Sequence, residues 1–210
     1  PMHVVDRLIQ GAAFRSEAAV SAARIVFCVG FGVRFFGTSV SDWTSGGGLR
    51  HSTLLFAMIA PIAFSVVVLY KFRKGTLGWR WLAASVLLDA VLSTTGLASN
   101  VVYPGSLYRG TLASPDTAGL LIVMMAAGLR LSVRLALLGV IANSVGLLAL
   151  VAGDWMISPA PELEYSLGTI LIWPVFVLGA AAFALLSAWR TRALAVHGAT
   201  GSLRVERGRK

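Results

Sequence analysis

Residues Lys71–Tyr103, KFRKGTLGWRWLAASVLLDAVLSTTGLASNVVY, decide the fold. The stretch opens on Lys71, Arg73, Lys74 and Arg80. It then becomes an apolar segment long enough to cross a bilayer, which takes about 20 residues. Short basic loops stay on the cytoplasmic side, so this segment is expected to enter from the cytoplasm and leave at Tyr103 and Pro104. Asp89 sits inside it, the one acidic residue in the middle of an apolar segment. A carboxylate there costs about 2.5 to 3.5 kcal/mol on insertion scales, so it should face other protein or a wet cavity. Ser85, Asp89, Ser93, Gly96 and Asn100 recur at steps of four, four, three and four, which puts them on one helix face. The helix is expected to have a lipid side and a packed, polar side.

Composition extends this reading to the whole chain. With 57% hydrophobic and 13% charged residues, and the apolar ones gathered in long runs, the sequence reads as an integral membrane protein. The net charge of +9 does not call for nucleic acid. The basic residues fall almost wholly on one predicted side of the membrane, as the positive-inside rule requires. The single cysteine, Cys28, rules out an intrachain disulfide and reads as a small core residue rather than a metal ligand. Pro1 in place of methionine, together with the charged end at Lys210, leads to the expectation of a fragment whose function lies partly beyond Lys210.

Residues 1–16 place Val4, Val5, Leu8, Ile9 and Ala12 at helical spacing, which gives a short amphipathic segment on the inner face or a frayed terminus. A first span follows from about Glu17 to Ser41. In it Arg24 is expected to snorkel to the inner headgroups, while Arg34, between Gly30 and Gly37, lies deeper in the outer half. Asp89 is one candidate partner for Arg34, although their depths match poorly; packing near Asn100 or reaching outward are the alternatives. DWTSGGGLRH makes an external loop, and Ser52–Phe72 a second span kinked at Pro61.

After the opening stretch, Ser114 and Pro115 read as the N-cap and first residue of a short fourth span ending at Arg130. A tight basic turn, Leu129–Ser132, leads into the fifth span. There Gly139, Asn143 and Gly146 share a face, a pattern of close helix packing more often than of ligand recognition. The last span, Ser166–Trp189, ends on Arg190 and Arg192. Trp43, Tyr70, Trp79, Trp81, Tyr103, Trp155 and Trp189 fall near predicted span ends, as interfacial aromatics do. The expected fold is therefore an all-α bundle of six transmembrane helices over residues 17–190, with N and C termini cytoplasmic and residues 191–210 beginning a cytoplasmic linker. Arg34, Asp89, Ser93, Asn100 and Asn143 are its candidate polar signalling residues.

Several chemistries are disfavoured. No span interior holds a histidine for an intramembrane serine protease or a haem, and Asp89 has no second carboxylate for an aspartyl protease. GGG at Gly46 lies in a predicted external loop with no following lysine, so it does not read as a phosphate cradle. Transport would favour paired broken helices in related halves, yet Pro61 and Pro174 fall in non-equivalent spans. A sensor instead predicts short loops, a partly polar interior and a last helix continuing into the tail WRTRALAVHGATGSLRVERGRK.

The six spans with short loops, the basic turn followed by RWLAASVLLDAVL, the LRLS turn and the arginine-rich tail resemble the membrane anchor of bacterial class III adenylate cyclases. Similar six-span regions precede diguanylate cyclases and histidine kinases. The resemblance implies a homodimer in the bacterial inner membrane, responding to an unknown signal ligand. It also implies that the tail leads to a separate cytosolic domain using ATP and Mg. None of the family's catalytic motifs is present, so no catalysis and no cofactor are expected of this chain. Gly198, Gly201 and Gly208 each cost a helix about 1 kcal/mol relative to alanine, so the tail helix is expected to break and restart near Ser202.

Overall fold

The computed structural model describes residues 2–38, 48–104, 108–157, 163 and 165–208, without the side chains of 2–9, 31, 34–38, 48–51, 53, 54, 57 and 195–208. The described residues form helices joined by turns and loops, with no strand among them. Its elements are α1 (Met2–Thr38), α2 (Gly48–Arg73), α3 (Trp79–Val102), a 3-10 turn (Thr111–Ala113), α4 (Thr117–Ala126), a second 3-10 turn (Ala127–Arg130), α5 (Val133–Ile157) and α6 (Leu167–Gly208). Among the described residues, α3, α5 and α6 are long and apolar enough to cross a membrane. Large apolar side chains such as Phe27, Phe56, Leu148, Leu178 and Leu186 are more than half exposed, a surface of the kind that lipid solvates better than water.

Helix α1 runs unbroken through the boundary expected at Glu17, so the amphipathic start and the first apolar segment form one helix. Helix α2 continues through Pro61, which is buried within it. The chain turns from α2 to α3 at Gly75, whose φ of 68° suits glycine. The fourth helix begins later than expected. Thr117, Ala118 and Gly119 donate their backbone N–H to the carbonyls three residues earlier, so Ser114 to Asp116 form turns instead of a capped first turn. Its ten helical residues and four-residue 3-10 turn rise about 23 Å, less than a hydrocarbon core of about 30 Å. Leu131, in the left-handed region at φ 58°, then reverses the chain into α5.

Helices α3 and α5 run parallel and very close. Val86, Thr94 and Val101 of α3 face Gly139, Gly146 and Gly153 of α5 in that order, the absent side chains letting the backbones approach. Leu97, Val101, Leu120, Met124, Leu147, Leu150 and Ala180 make one apolar core from α3 to α6. A second core of Ala13, Val68, Leu77, Leu82, Val86 and Leu135 joins α1 and α2 to α3 and α5 around the basic turns.

The C-terminal helix departs furthest from expectation. Gly198 and Gly201 do not interrupt α6, which continues to Gly208 over 42 residues, about 63 Å at 1.5 Å per residue. Two glycines cost about 2 kcal/mol of propensity, too little to end a helix already propagating from a long apolar segment.

Candidate functional site

Asp89 lies ten residues past Trp79, a rise of about 15 Å into α3. Its carboxylate is bridged by two arginines. Arg24 of α1 donates from Nε to Asp89 Oδ1 at 2.7 Å, and Arg130 of the second 3-10 turn donates from Nη2 to Asp89 Oδ2 at 2.6 Å. Arg130 also donates from Nε to Glu17 Oε2 of α1 at 2.7 Å. Arg24 Nη2 lies 3.9 Å from Glu17 Oε1, which closes a ring of two cations and two anions.

Serines complete the ring. Arg24 donates from Nη1 to Ser65 Oγ of α2 at 3.0 Å and from Nη2 to Ser85 Oγ of α3 at 2.7 Å. Ser85 Oγ accepts again from Arg130 Nη2 at 3.2 Å and donates to Glu17 Oε1, so its two lone pairs and its proton are all engaged. Ser21 Oγ adds a long bond of 3.5 Å to Glu17 Oε1. The side chains of Glu17, Arg130 and Arg24 are 0, 1 and 7% exposed, and Asp89 is the most open at 18%. A charge buried alone would be several kcal/mol too costly, but this cluster is neutral and densely hydrogen-bonded. It fixes α1, α2, α3 and the end of α4 against one another.

Chain geometry explains why Arg130 takes part. Because α4 and its turn are short, the residue that ends them stays inside the bundle instead of emerging at the surface. Ser16 Oγ of α1 donates to the Leu129 carbonyl at 2.8 Å and fastens the same turn. Two residues earlier, Gly128 is seated on α6: a Cβ there would lie 2.5 Å from the carbonyl oxygen of Ala184. One turn therefore holds the charge cluster and the seat of the last helix.

The predicted polar face of α3 divides between two partners. Ser85 and Asp89 enter the charge cluster, whereas Ser93 donates to Asn143 Oδ1 of α5 at 3.2 Å. Asn143 is buried and donates from Nδ2 to the Gly139 carbonyl at 2.8 Å, a packing arrangement as its spacing suggested. Asn100 is half-buried further along α3. The side chain of Arg34 lies outside the described residues. Asp89 is bound by Arg24 and Arg130, and one expectation is corrected: Arg24 does not snorkel outward but turns inward to Asp89, Ser65 and Ser85. Cys28 is half-buried and not a core residue. The sequence reading missed Glu17 and Arg130, although Glu17 and Arg24, seven residues apart on one helix, carried a signal.

A second polar knot closes the other end. Asp154 of α5 is fully buried and accepts from the Thr111 N–H at 2.8 Å, from Tyr108 Oη and from Tyr165 Oη. Trp173 of α6 donates from Nε1 to the Leu112 carbonyl at 2.8 Å, pinning the same loop to the last helix. Burial, then the hydrogen bond to Asp154, push both phenols well above their ordinary value of about 10. With the folded pKa raised, their contribution is complete below about pH 10, where unfolded phenols are neutral, and is lost as pH climbs beyond it. In an alkaline titration followed by phenolate absorbance, Tyr108 and Tyr165 should ionise only on unfolding. Asp154→Asn should bring that transition to lower pH, and ordinary titration of all four tyrosines in the folded protein would contradict the clamp.

Among the described residues no group of histidine, cysteine and carboxylate side chains is arranged to hold a metal ion. No protein family, curated protein or solved structure matches the chain.

Proposed function

We propose that this chain is the membrane anchor, dimerisation and sensor region of a signalling enzyme, with six spans and both termini cytoplasmic. In this reading α1, α2 and the short α4 join α3, α5 and α6 as spans, and the basic turns face the cytoplasm. Supporting it is the length of α6, whose 42 residues exceed the roughly 20 needed to cross the hydrocarbon. Past Arg190 and Arg192 the helix has a further stretch with which to reach a cytosolic domain. The resemblance in layout favours a class III adenylate cyclase, making cyclic AMP from ATP with Mg in that domain. A diguanylate cyclase or histidine kinase output is the alternative.

Coupling follows from connectivity. A stimulus that shifts α1 or α2 acts on Arg24 and Glu17, hence on Arg130, and through Gly128 on the seat of α6. The bundle would then exchange between two packings, and α6 would transmit the difference to the paired outputs.

Inserting one to four residues after Arg192 in the full-length protein tests this. Output should vary with helical phase, recovering near a full turn of about 3.6 residues. Flat output across the series would remove α6 as the transmitting element. Vesicles containing the chain should take up no solute; specific uptake would replace the sensor reading with a small transporter.

A further inference from the structure

The end of the bundle that holds the α2–α3 and α4–α5 turns carries a rim of exposed basic side chains drawn from five helices and a turn. Arg15 of α1, Arg73 of α2, Lys74 of the turn that follows it, Arg80 of α3, Arg134 of α5, and Arg190 and Arg192 of α6 are all exposed there. Among the described residues the two nearest carboxylates, Glu17 and Asp89, are withdrawn into the buried cluster and already neutralised by Arg24 and Arg130. Among the described residues no exposed acidic side chain lies at this end, and exposed Asp116 lies at the opposite one. Among the described residues the rim's charge is thus uncompensated.

Its local electrostatics point the same way. Parallel helices α3 and α5 both begin at this end, so their positive dipole ends lie side by side. Neither has an acidic residue in its first turn, and Arg80 and Arg134 occupy those turns instead. Basic side chains at helix N-termini oppose the dipole, an unfavourable arrangement that external negative charge relieves. Tyr70, Trp79 and Trp189 are exposed at the same level, with the aromatic character of residues that sit among headgroups. Lys71 Nζ stands 4.9 Å from the Trp81 ring centroid and Lys74 Nζ 5.9 Å from that of Tyr70, so the aromatic and cationic groups form one surface.

We propose that this rim is an interaction surface for anionic phospholipid headgroups, which the protein recruits in preference to zwitterionic ones. The inference rests on the membrane setting but not on signalling. An array of anionic headgroups at fixed depth around the bundle meets every exposed basic group of the rim at once, which fits a ring of charge better than a compact anion does. A basic residue at an anionic surface contributes enough to change lipid occupancy about fivefold.

The test is native mass spectrometry of the whole chain released from micelles containing equal amounts of phosphatidylglycerol and phosphatidylcholine. Retained lipid should be enriched in phosphatidylglycerol about fivefold or more, and enrichment should fall as salt is raised. The combined variant Arg73→Gln, Lys74→Gln, Arg80→Gln and Arg134→Gln should approach parity with unchanged helical circular dichroism. Arg109→Gln, at the opposite end, should behave as the unaltered chain. Equal retention of both lipids by the unaltered chain, or persistent preference in the fourfold variant, overturns the proposal. So does loss of the preference on adding inorganic phosphate, which would mark a site for the free ion, or displacement of the lipid by a short single-stranded oligonucleotide. No signalling output is read, so these results are independent of whether the sensor reading holds.

Discussion

Arg130→Ala should be the most damaging single substitution in the chain, lowering stability by about 3 to 5 kcal/mol, the cost of breaking a buried ion pair from one side. The removed guanidinium is the partner of both Glu17 and Asp89, so two carboxylates are left with too little positive charge among buried neighbours. Thermal unfolding in detergent micelles would measure the loss. Arg130→Lys should recover little, because one ammonium cannot replace a planar fork that spans two acids and a serine. Adding Glu17→Gln to Arg130→Ala should restore a substantial part by removing the orphaned charge. If the double variant is no more stable than Arg130→Ala alone, charge balance is not what holds these helices together.

Gly128→Val is the next largest expected effect. Its Cβ would stand 2.5 Å from the Ala184 carbonyl oxygen and 2.9 Å from the Ala184 Cα, so α6 must move away from the turn. Overpacking of this kind costs about 1 to 3 kcal/mol; under the sensor function proposed above, displacement of α6 should also shift basal output. Ala184→Gly should not rescue it, because the obstructing atoms belong to the backbone. Gly179→Ala, where nothing lies within 4 Å of the added carbon, serves as the matched neutral change. Equal melting temperatures for Gly128→Val and Gly179→Ala would show that α6 is not seated on Gly128.

Much of the architecture was legible before the fold was known. The apolar lengths of α3, α5 and α6, the basic loop from Lys71 to Arg80 and the small-residue face around Gly139 and Asn143 all follow from local pattern, because membrane helices must satisfy their own backbones and approach through small side chains. Propensity read locally was less reliable at helix ends. Gly198 and Gly201 looked like interruptions, yet a helix already nucleated propagates through them, and Ser114 looked like a cap, yet the chain uses turns until Thr117.

The candidate site was only partly readable. Asp89 announced itself as an acid in an apolar run, but its partners did not, because Arg24 and Arg130 stand 65 and 41 residues away along the chain. Arg130 looked like an ordinary member of a basic turn. The sequence by itself determined that the chain is helical, apolar enough for a membrane and strongly basic at its turns, since these depend on composition and short-range periodicity. Only the tertiary structure decided which charges became rim and which became core. That choice depends on the shortness of α4 and on which serine and carboxylate acceptors the packed helices bring within reach of each guanidinium.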